Sequence, residues 1–287
     1  MNMTHLAESR TVAARRRAIV DYVITRGSAE IDELVLRFET SRMTIHRDLH
    51  ALSGQGLVRK VHGGVTTLPN GIVESSVLYR LRRAVREKKA IAALAAGMIA
   101  PGDVIALDDS TTARFLSDHL AGIGAVTVLT NSLGIATMLA GVPDIRLMAL
   151  GGCYHPTFDA FFGLLCEQAI GALRVNTLFM SVSAIHGLGA YHQEQDIVKV
   201  KLALMRAADR RVLLADSTKF GVTALNRLAD LAEFDVVITD DGLAPDIRDR
   251  LQDHDIMLRV ARSNTSDTVK DDLKTERIAQ QGEEPCV

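Results

Sequence analysis

An α/β protein in two parts is predicted: an N-terminal winged helix-turn-helix followed by a Rossmann-like open α/β sheet. Three observations predict it. In residues 41–52, Ile45, Leu49 and Leu52 share one helical stripe while a cationic front faces the other way. Further along, short branched runs alternate with helical patterns, as in a parallel sheet covered on both faces. The net charge of −2 also hides an asymmetry, since residues 1–89 hold 16 Lys/Arg against 9 Asp/Glu and residues 90–287 hold 17 against 26.

The 287 residues suit two domains, and 47% hydrophobic with 24% charged residues is the balance of a globular chain with real cores. Trp is absent and aromatics reach only 4%, which argues against a base-stacking platform for single strands. Cys153, Cys166 and Cys286 are too few and too scattered for a disulfide framework or a zinc cage. The N-terminus has no signal-peptide core and no apolar run approaches a membrane span, so a cytoplasmic protein without a membrane partner is expected.

Residues 8–66 are expected to form the first domain. From Ala13 the pattern is helical, with Ile19, Val20 and Val23 on one face, Arg15, Arg16 and Arg17 near the start, and Gly27 placed to end it. Asp32 is read as the N-cap of a second short helix to Phe38, with Leu34 and Phe38 inward. Glu39 and Thr40 make the turn into the third helix, where Ser41 stands at the N-cap. Its front, made by Arg42, Met43, His46, Arg47 and His50, can lie in a DNA major groove. Gly54 and Gly56 stop that helix. Leu57 to Val65 then reads as two short strands about a basic turn, a wing that sets Arg59, Lys60 and His62 against phosphates or the minor groove. The plainer reading is a helical bundle with a structural hairpin and a merely solvated basic face.

Residues 67–80, with Pro69-Asn70-Gly71 and Ser75-Ser76, read as a linker to a second domain at 81–262. The cation-rich run Arg82–Lys89 merges into a helix at Ala90–Ile99, which Pro101 and Gly102 close. Strands are expected at Val104–Leu107, Val126–Leu129, Ile145–Leu150, Thr177–Ser181, Val212–Ala215 and Val236–Thr239. Residues 263–287 are polar without periodicity and read as a disordered tail.

Ligands of open α/β sheets gather at the carboxyl ends of the strands. Those ends carry Asp108, Asp109, Ser110, Thr111 and Thr112, then Thr130, Asn131 and Ser132, then Gly151 and Gly152, then Ser183 to Gly187, and finally Asp216 to Gly221. Hydroxyls and backbone amides at strand-to-helix turns suit an anion, with Lys219 as the cation and Asp108 and Asp216 as acceptors for sugar hydroxyls. His192 and Glu194 are placed at the pocket mouth. Cys153, His155, His186 and His192 match no metal-ligand spacing, and no G-x-G-x-x-G follows the first strand, so neither a metal nor a dinucleotide cofactor is expected. Cys166 is read as a small buried residue.

The run Ile31–Phe38, then Ser41-x-x-Thr44-Ile45-x-Arg47-Asp48-Leu49-x-x-Leu52, then Gly56-Leu57-Val58-Arg59-x-Val61-His62-Gly63-Gly64 resembles the DNA-binding signature of the DeoR family of bacterial transcriptional regulators. The strand-end segments resemble that family's sensor domain, which is similar in fold to ribose-5-phosphate isomerase, so the resemblance spans about residues 12–262. It implies a phosphorylated sugar or similar anion as effector, with Ser110, Thr111 and Thr112 holding the phosphate and Asn131, Ser132, Lys199 and Lys219 nearby. Lys199 is either that family lysine or a solvated helix residue. The chain departs from the family pattern at three places. His46 stands where a second arginine is usual, and His155 where an arginine often stands, which makes a cation at either conditional on pH. Asp109 then Ser110 replaces Ser then Gly, and a carboxylate facing a phosphate at ~4 Å would repel it by on the order of 4 kcal/mol per charge pair.

A non-enzymatic, sequence-specific regulator is therefore expected, a repressor of a carbohydrate catabolic operon that binds double-stranded operator DNA as a homodimer or homotetramer. The alternative is a sugar-phosphate isomerase with a DNA-binding appendage. That reading needs a carboxylate base among Asp108, Asp109 and Glu194 with an acid partner.

Overall fold

The computed structural model describes residues 12–54, 58–66 and 77–263. Gly56, Leu57, most of the expected linker and the expected tail lie outside the described residues.

The first domain runs α1 (Val12–Arg26), β1 (Ser28–Glu30), α2 (Ile31–Arg37), α3 (Arg42–Gly54), β2 (Arg59–Val61) and β3 (Gly64–Thr66). Ile19, Val20 and Val23 of α1 meet Leu34 of α2, Ile45, Leu49 and Leu52 of α3, and Val58 and Val65 of the hairpin in one small core. The apolar stripe of α3 is thus its buried side. Strand β1 extends the hairpin into a three-stranded sheet of order β1-β3-β2. Sequence reading passed over β1 because three residues after a glycine carry no visible alternation. Its pairing explains Gly64, where an added Cβ would lie 2.6 Å from the Ala29 carbonyl oxygen. One polar contact ties the helices: Asp48 of α3, buried, accepts from Arg15 Nε and Arg16 Nε of α1, each at 2.7 Å.

The segment read as linker becomes helical at its end. Helix α4 (Val77–Arg82) is followed by Ala84 in the left-handed region (φ 51°), which breaks it from α5 (Val85–Ala96). The second domain continues with β4 (Val104–Leu107), α6 (Thr111–Ser117), β5 (Val126–Thr130), α7 (Leu133–Leu139) and β6 (Ile145–Ala149). Then come β7 (Cys153–His155), β8 (Ala160–Phe162), α8 (Leu164–Gly171), β9 (Val175–Met180), β10 (Ala184–His186), β11 (Gly189–His192) and α9 (Gln195–Ala207). The chain closes with β12 (Ala208–Leu214), β13 (Asn226–Asp230), β14 (Val236–Asp240), α10 (Pro245–Asp253) and β15 (Leu258–Ala261).

Seven parallel strands form the main sheet in the order β15-β14-β12-β9-β4-β5-β6. Side chains alternate into two cores. Ile105, Leu107, Phe179 and Ile238 face the core shared with α5, α6 and α7, whereas Ala106, Leu178, Met180 and Val237 face the core shared with α8, α9 and α10. Burial on both faces is why these strands read as unbroken apolar runs. Strand order reverses direction between β4 and β9, and crevices for ligands form at such a point. Besides β1 and α4, the sequence does not reveal β15, whose four residues include an arginine, the hairpin β7–β8, or the antiparallel sheet β10-β11-β13.

Removing a buried charge's partner strands what remains. Asp48→Asn is expected to destabilise the first domain by about 2–3 kcal/mol, less than a fully buried pair because both arginines are partly exposed, as read by urea unfolding.

Candidate functional site

Two surfaces carry the chemistry. On the first domain, Arg42, Met43, His46, Arg47 and His50 project from α3 into solvent, with Thr44 half-buried beside them. The exposed Ser41 hydroxyl accepts from the Thr44 amide at 3.2 Å and caps the helix. Arg42 is drawn to Asp32 of α2 at 2.9 Å, an exposed pair of little energetic weight. Arg59, Lys60 and His62 are exposed on β2 and its turn. A cationic helix face with a basic hairpin beside it has the shape that enters a major groove while the wing touches phosphates.

The second surface is a cavity of about 100 Å³ at the carboxyl end of the main sheet, room for several waters or a small polar ligand. Tyr79 and Arg80 reach it from α4, Lys88 from α5, Thr111 from α6, Ser181 from the end of β9, His192 from β11, Lys201 from α9, and Asp216 and Lys219 from the turn after β12. Behind it, at the reversal of strand order, Lys201 pairs with Asp108 and lies 3.3 Å from Asp109, all three buried. Asp108 also accepts from the amides of Ser110 and Ser181, each at 3.0 Å, so both its oxygens are engaged within the protein. Asp109 makes no hydrogen bond and does not line the cavity; its partner is the Lys201 charge. The expected repulsion at Asp109 is thereby met from within.

The remaining expected residues divide. Thr111, Asp216 and Lys219 line the cavity, as does Ser110, whose hydroxyl caps α6 by accepting from Ala113 N at 3.1 Å. Thr112 is buried with its hydroxyl unpartnered. Ser132 caps α7 through Ile135 N at 3.3 Å, and Asn131 donates to the Phe161 carbonyl at 3.1 Å while its Oδ1 stays enclosed without a partner. Neither lines the cavity. Gly151 and Gly152 stand outside it too; an added Cβ at Gly152 (φ 149°) would meet the Phe162 carbonyl oxygen at 2.5 Å, so that glycine serves a backbone approach to β8. His155 is exposed on β7, its ring 4.9 Å from that of Phe158. Lys199 is exposed and pairs with Asp196 at 3.0 Å, on the far side of α9 from the cavity. Asp108, Asp109 and Lys199 are thus displaced from the ligand-facing roles expected of them: the two carboxylates are held by Lys201, and Lys199 points to solvent.

Lys201, which sequence reading overlooked, is two residues on and so about 200° around the helix. Ile197, Lys201 and Leu204 share one buried stripe, and a lysine within an apolar stripe was the available signal. Arg80, Arg83 and Lys88 were likewise passed over, because their cation-rich run resembles ordinary solvated surface. Of the two residues expected at the pocket mouth, His192 lines the cavity, whereas Glu194 precedes α9 outside it.

Five cations, Arg80, Arg83, Lys88, Lys201 and Lys219, gather about three carboxylates, Asp108, Asp109 and Asp216. Burial opposes the charge of Lys201, but Asp108 and Asp109 outweigh it and hold its pKa above the ordinary lysine value. For Lys88 and Lys219 the balance falls the other way. Burial, then the Lys219 charge, push the Lys88 ammonium from 10.5 down to about 7, although Asp216 pulls the other way. Lys219 is lowered by burial beyond what Asp216 restores; it donates to Ser181 Oγ at 2.7 Å and the Val182 carbonyl at 2.6 Å. Burial and then the charges of Lys201, Arg80 and Lys219 hold His192 well below its usual range. Its Nδ1 accepts from Glu194 N at 3.2 Å, which leaves the proton of the neutral ring on Nε2.

Because Lys88 binds its proton less tightly folded than unfolded, the protein gains stability as pH rises from about 7 towards 10.5. Lys88→Met is therefore expected to be more stable than the parent near pH 6, with that advantage shrinking by pH 9, in thermal unfolding at matched ionic strength.

A family profile described as the DeoR-like helix-turn-helix domain matches residues 15–69, and one described as the DeoR C terminal sensor domain matches residues 83–241. The chain is 34% identical over 249 residues to the uncharacterized HTH-type transcriptional regulator YgbI of Escherichia coli K12, covering 87% of this chain and 98% of that one. It is 30% identical over 246 residues to the L-fucose operon activator of Haemophilus influenzae, covering 85% and 98%. Among solved structures, ribose 5 phosphate isomerase A of Neisseria gonorrhoeae aligns at 16% identity with a TM-score of 0.35, over 48% of this chain and 54% of that one, a likeness too slight to bear on function. With one profile matched across the winged domain and the other across most of the parallel sheet, this chain belongs to the DeoR family of transcriptional regulators.

Proposed function

We propose that this protein represses a carbohydrate catabolic operon by binding its operator, and that a phosphorylated sugar or similar dianionic metabolite releases it. The observation that carries the effector class is the positive surplus in the cavity. A buried cation without a counter-charge is expensive, and an anion that brings two charges removes the deficit. The hydroxyls of Ser110, Thr111 and Ser181 at the same wall suit hydrogen bonding to such a group. One recognition helix reads only a few base pairs, so the DNA-bound form is a homodimer or homotetramer on repeated half-sites. Neither a metal nor a cofactor enters this reading.

Catalysis is not part of the proposal. An isomerase needs a carboxylate free to take a proton beside a carbonyl. Asp108 and Asp109 are held by Lys201, which leaves Asp216 as the one carboxylate among the cavity-lining residues, flanked by lysines. A second reading, activation in place of repression, has one observation in its favour: the Haemophilus influenzae relative is named an operon activator.

Two substitutions separate the surfaces. Arg47→Ala is expected to weaken binding to the DNA upstream of the gene by roughly 1–3 kcal/mol, measured by fluorescence anisotropy at fixed salt, while leaving anion binding intact. Lys219→Ala should retain the DNA affinity and lose the response to phosphate monoesters. Unchanged release by the latter would remove Lys219 from the effector site, and transcription from the same fragment distinguishes repression from activation.

A further inference from the structure

Helix α4 lies between the winged domain and the sheet, yet it contributes to the cavity and also packs against α1. Its first amide, Val77 N, donates to the Thr157 carbonyl at 2.8 Å, in the loop between β7 and β8. At its other end the Arg80 carbonyl accepts from buried Lys88. The Arg80 guanidinium sits 5.5 Å from the centre of the Phe158 ring. Its Nε and Nη2 are shut off from solvent and have no hydrogen-bond partner. The nearby carboxylates Asp108 and Asp109 do not supply one, since Lys201 holds them both. Arg80 is thus a planar donor fork aimed into a cationic cavity from a helix outside the sheet, with two unpartnered nitrogens that carry three N–H donors.

On the head side, α1 carries Arg15 and Arg16, which grip Asp48 of the recognition helix. A continuous line of packed elements runs from the cavity through Arg80 and α4 to α1 and then α3. The left-handed residue Ala84 separates α4 from α5, so α4 is not a rigid continuation of the helix that is built into the core.

We propose that Arg80 reads the effector for the DNA-binding head: the anion accepts from the Arg80 guanidinium on one side and Lys219 on the other, and its presence sets the position of α4 and hence of α1. This rests on the anionic-effector reading above. Burial opposes the Arg80 charge while Asp109 and Asp108 favour it without hydrogen-bonding it, and a bound dianion would supply the acceptor that the guanidinium lacks beside Lys88, Lys201 and Lys219. Such a ligand makes different contacts in the two positions of α4, which is what a regulatory ligand requires.

The test uses the full-length protein with inorganic phosphate and sulfate as probes. Phosphate binding is measured by calorimetry, hydrogen exchange is followed over residues 77–83 and 12–26, and release from the upstream DNA fragment is read by anisotropy. In the parent chain, phosphate should slow exchange across residues 77–83, alter it across 12–26, and weaken DNA binding. Arg80→Met should still bind phosphate through Lys219, roughly tenfold more weakly. At saturating phosphate it should nevertheless show neither the change over 12–26 nor DNA release. Arg80→Lys keeps the charge without the fork and should recover part of both, and it carries the test if the methionine variant does not fold. Full release from phosphate-saturated Arg80→Met overturns the inference, as does phosphate binding by the parent chain with no change over 77–83. If the parent chain binds neither phosphate nor sulfate, it is the anionic-effector reading itself that fails.

Discussion

Lys201, set between Asp108 and Asp109 where the strand order reverses, is the contact on which the rest of the second domain depends. It joins α9 to the ends of β4 and β9, because Asp108 simultaneously holds the amides of Ser110 and Ser181. The geometry of those strand ends, and so of the cavity wall, follows from one carboxylate satisfied on both oxygens. The same contact decides the electrostatics. Two of the three nearby acids are neutralised from behind, so the space in front of them is left to Arg80, Lys88 and Lys219. The strand end that, by sequence, carries two adjacent aspartates thus presents a cationic face to the cavity.

That arrangement shows why part of the site could be read from sequence and part could not. The recognition helix was legible because its signal is periodic: Ile45, Leu49 and Leu52 bury, and the intervening cations do not. The inner strands were legible because both their faces are buried. Asp216 and Lys219 sit at strand ends in the cavity, and the general rule for open sheets finds such positions. The rest depends on contacts between residues distant in the chain. Nothing local distinguishes Lys201 from Lys199 except the phase of the helix, and nothing local reveals that α4 folds back across the sheet. Asp109 is the instructive case. Its sequence position predicts repulsion, and only a partner 92 residues away turns it into support.

The cavity also illustrates a trade between stability and binding. A depressed lysine, a neutral buried histidine and an arginine with unpartnered donors are each unfavourable for folding. A fold selected for stability alone would fill such a space with apolar side chains. Under the proposed anionic effector, keeping it polar and cationic leaves interaction energy for the bound anion to realise, and that difference is what could be transmitted elsewhere.

The double grip of Arg15 and Arg16 on Asp48 has a consequence for how the head meets a nucleic acid. Those arginines count towards the basic composition of the N-terminal region, but their charge is already partly balanced inside the protein. The same is true of Arg26, paired with Glu33, and Arg42, paired with Asp32. Arg47, Arg59 and Lys60, by contrast, have no ionic partner among the described residues. On the proposed operator-binding reading, the steepness with which added electrolyte dissolves the complex would report only such unpartnered side chains, well short of the region's full complement of lysines and arginines.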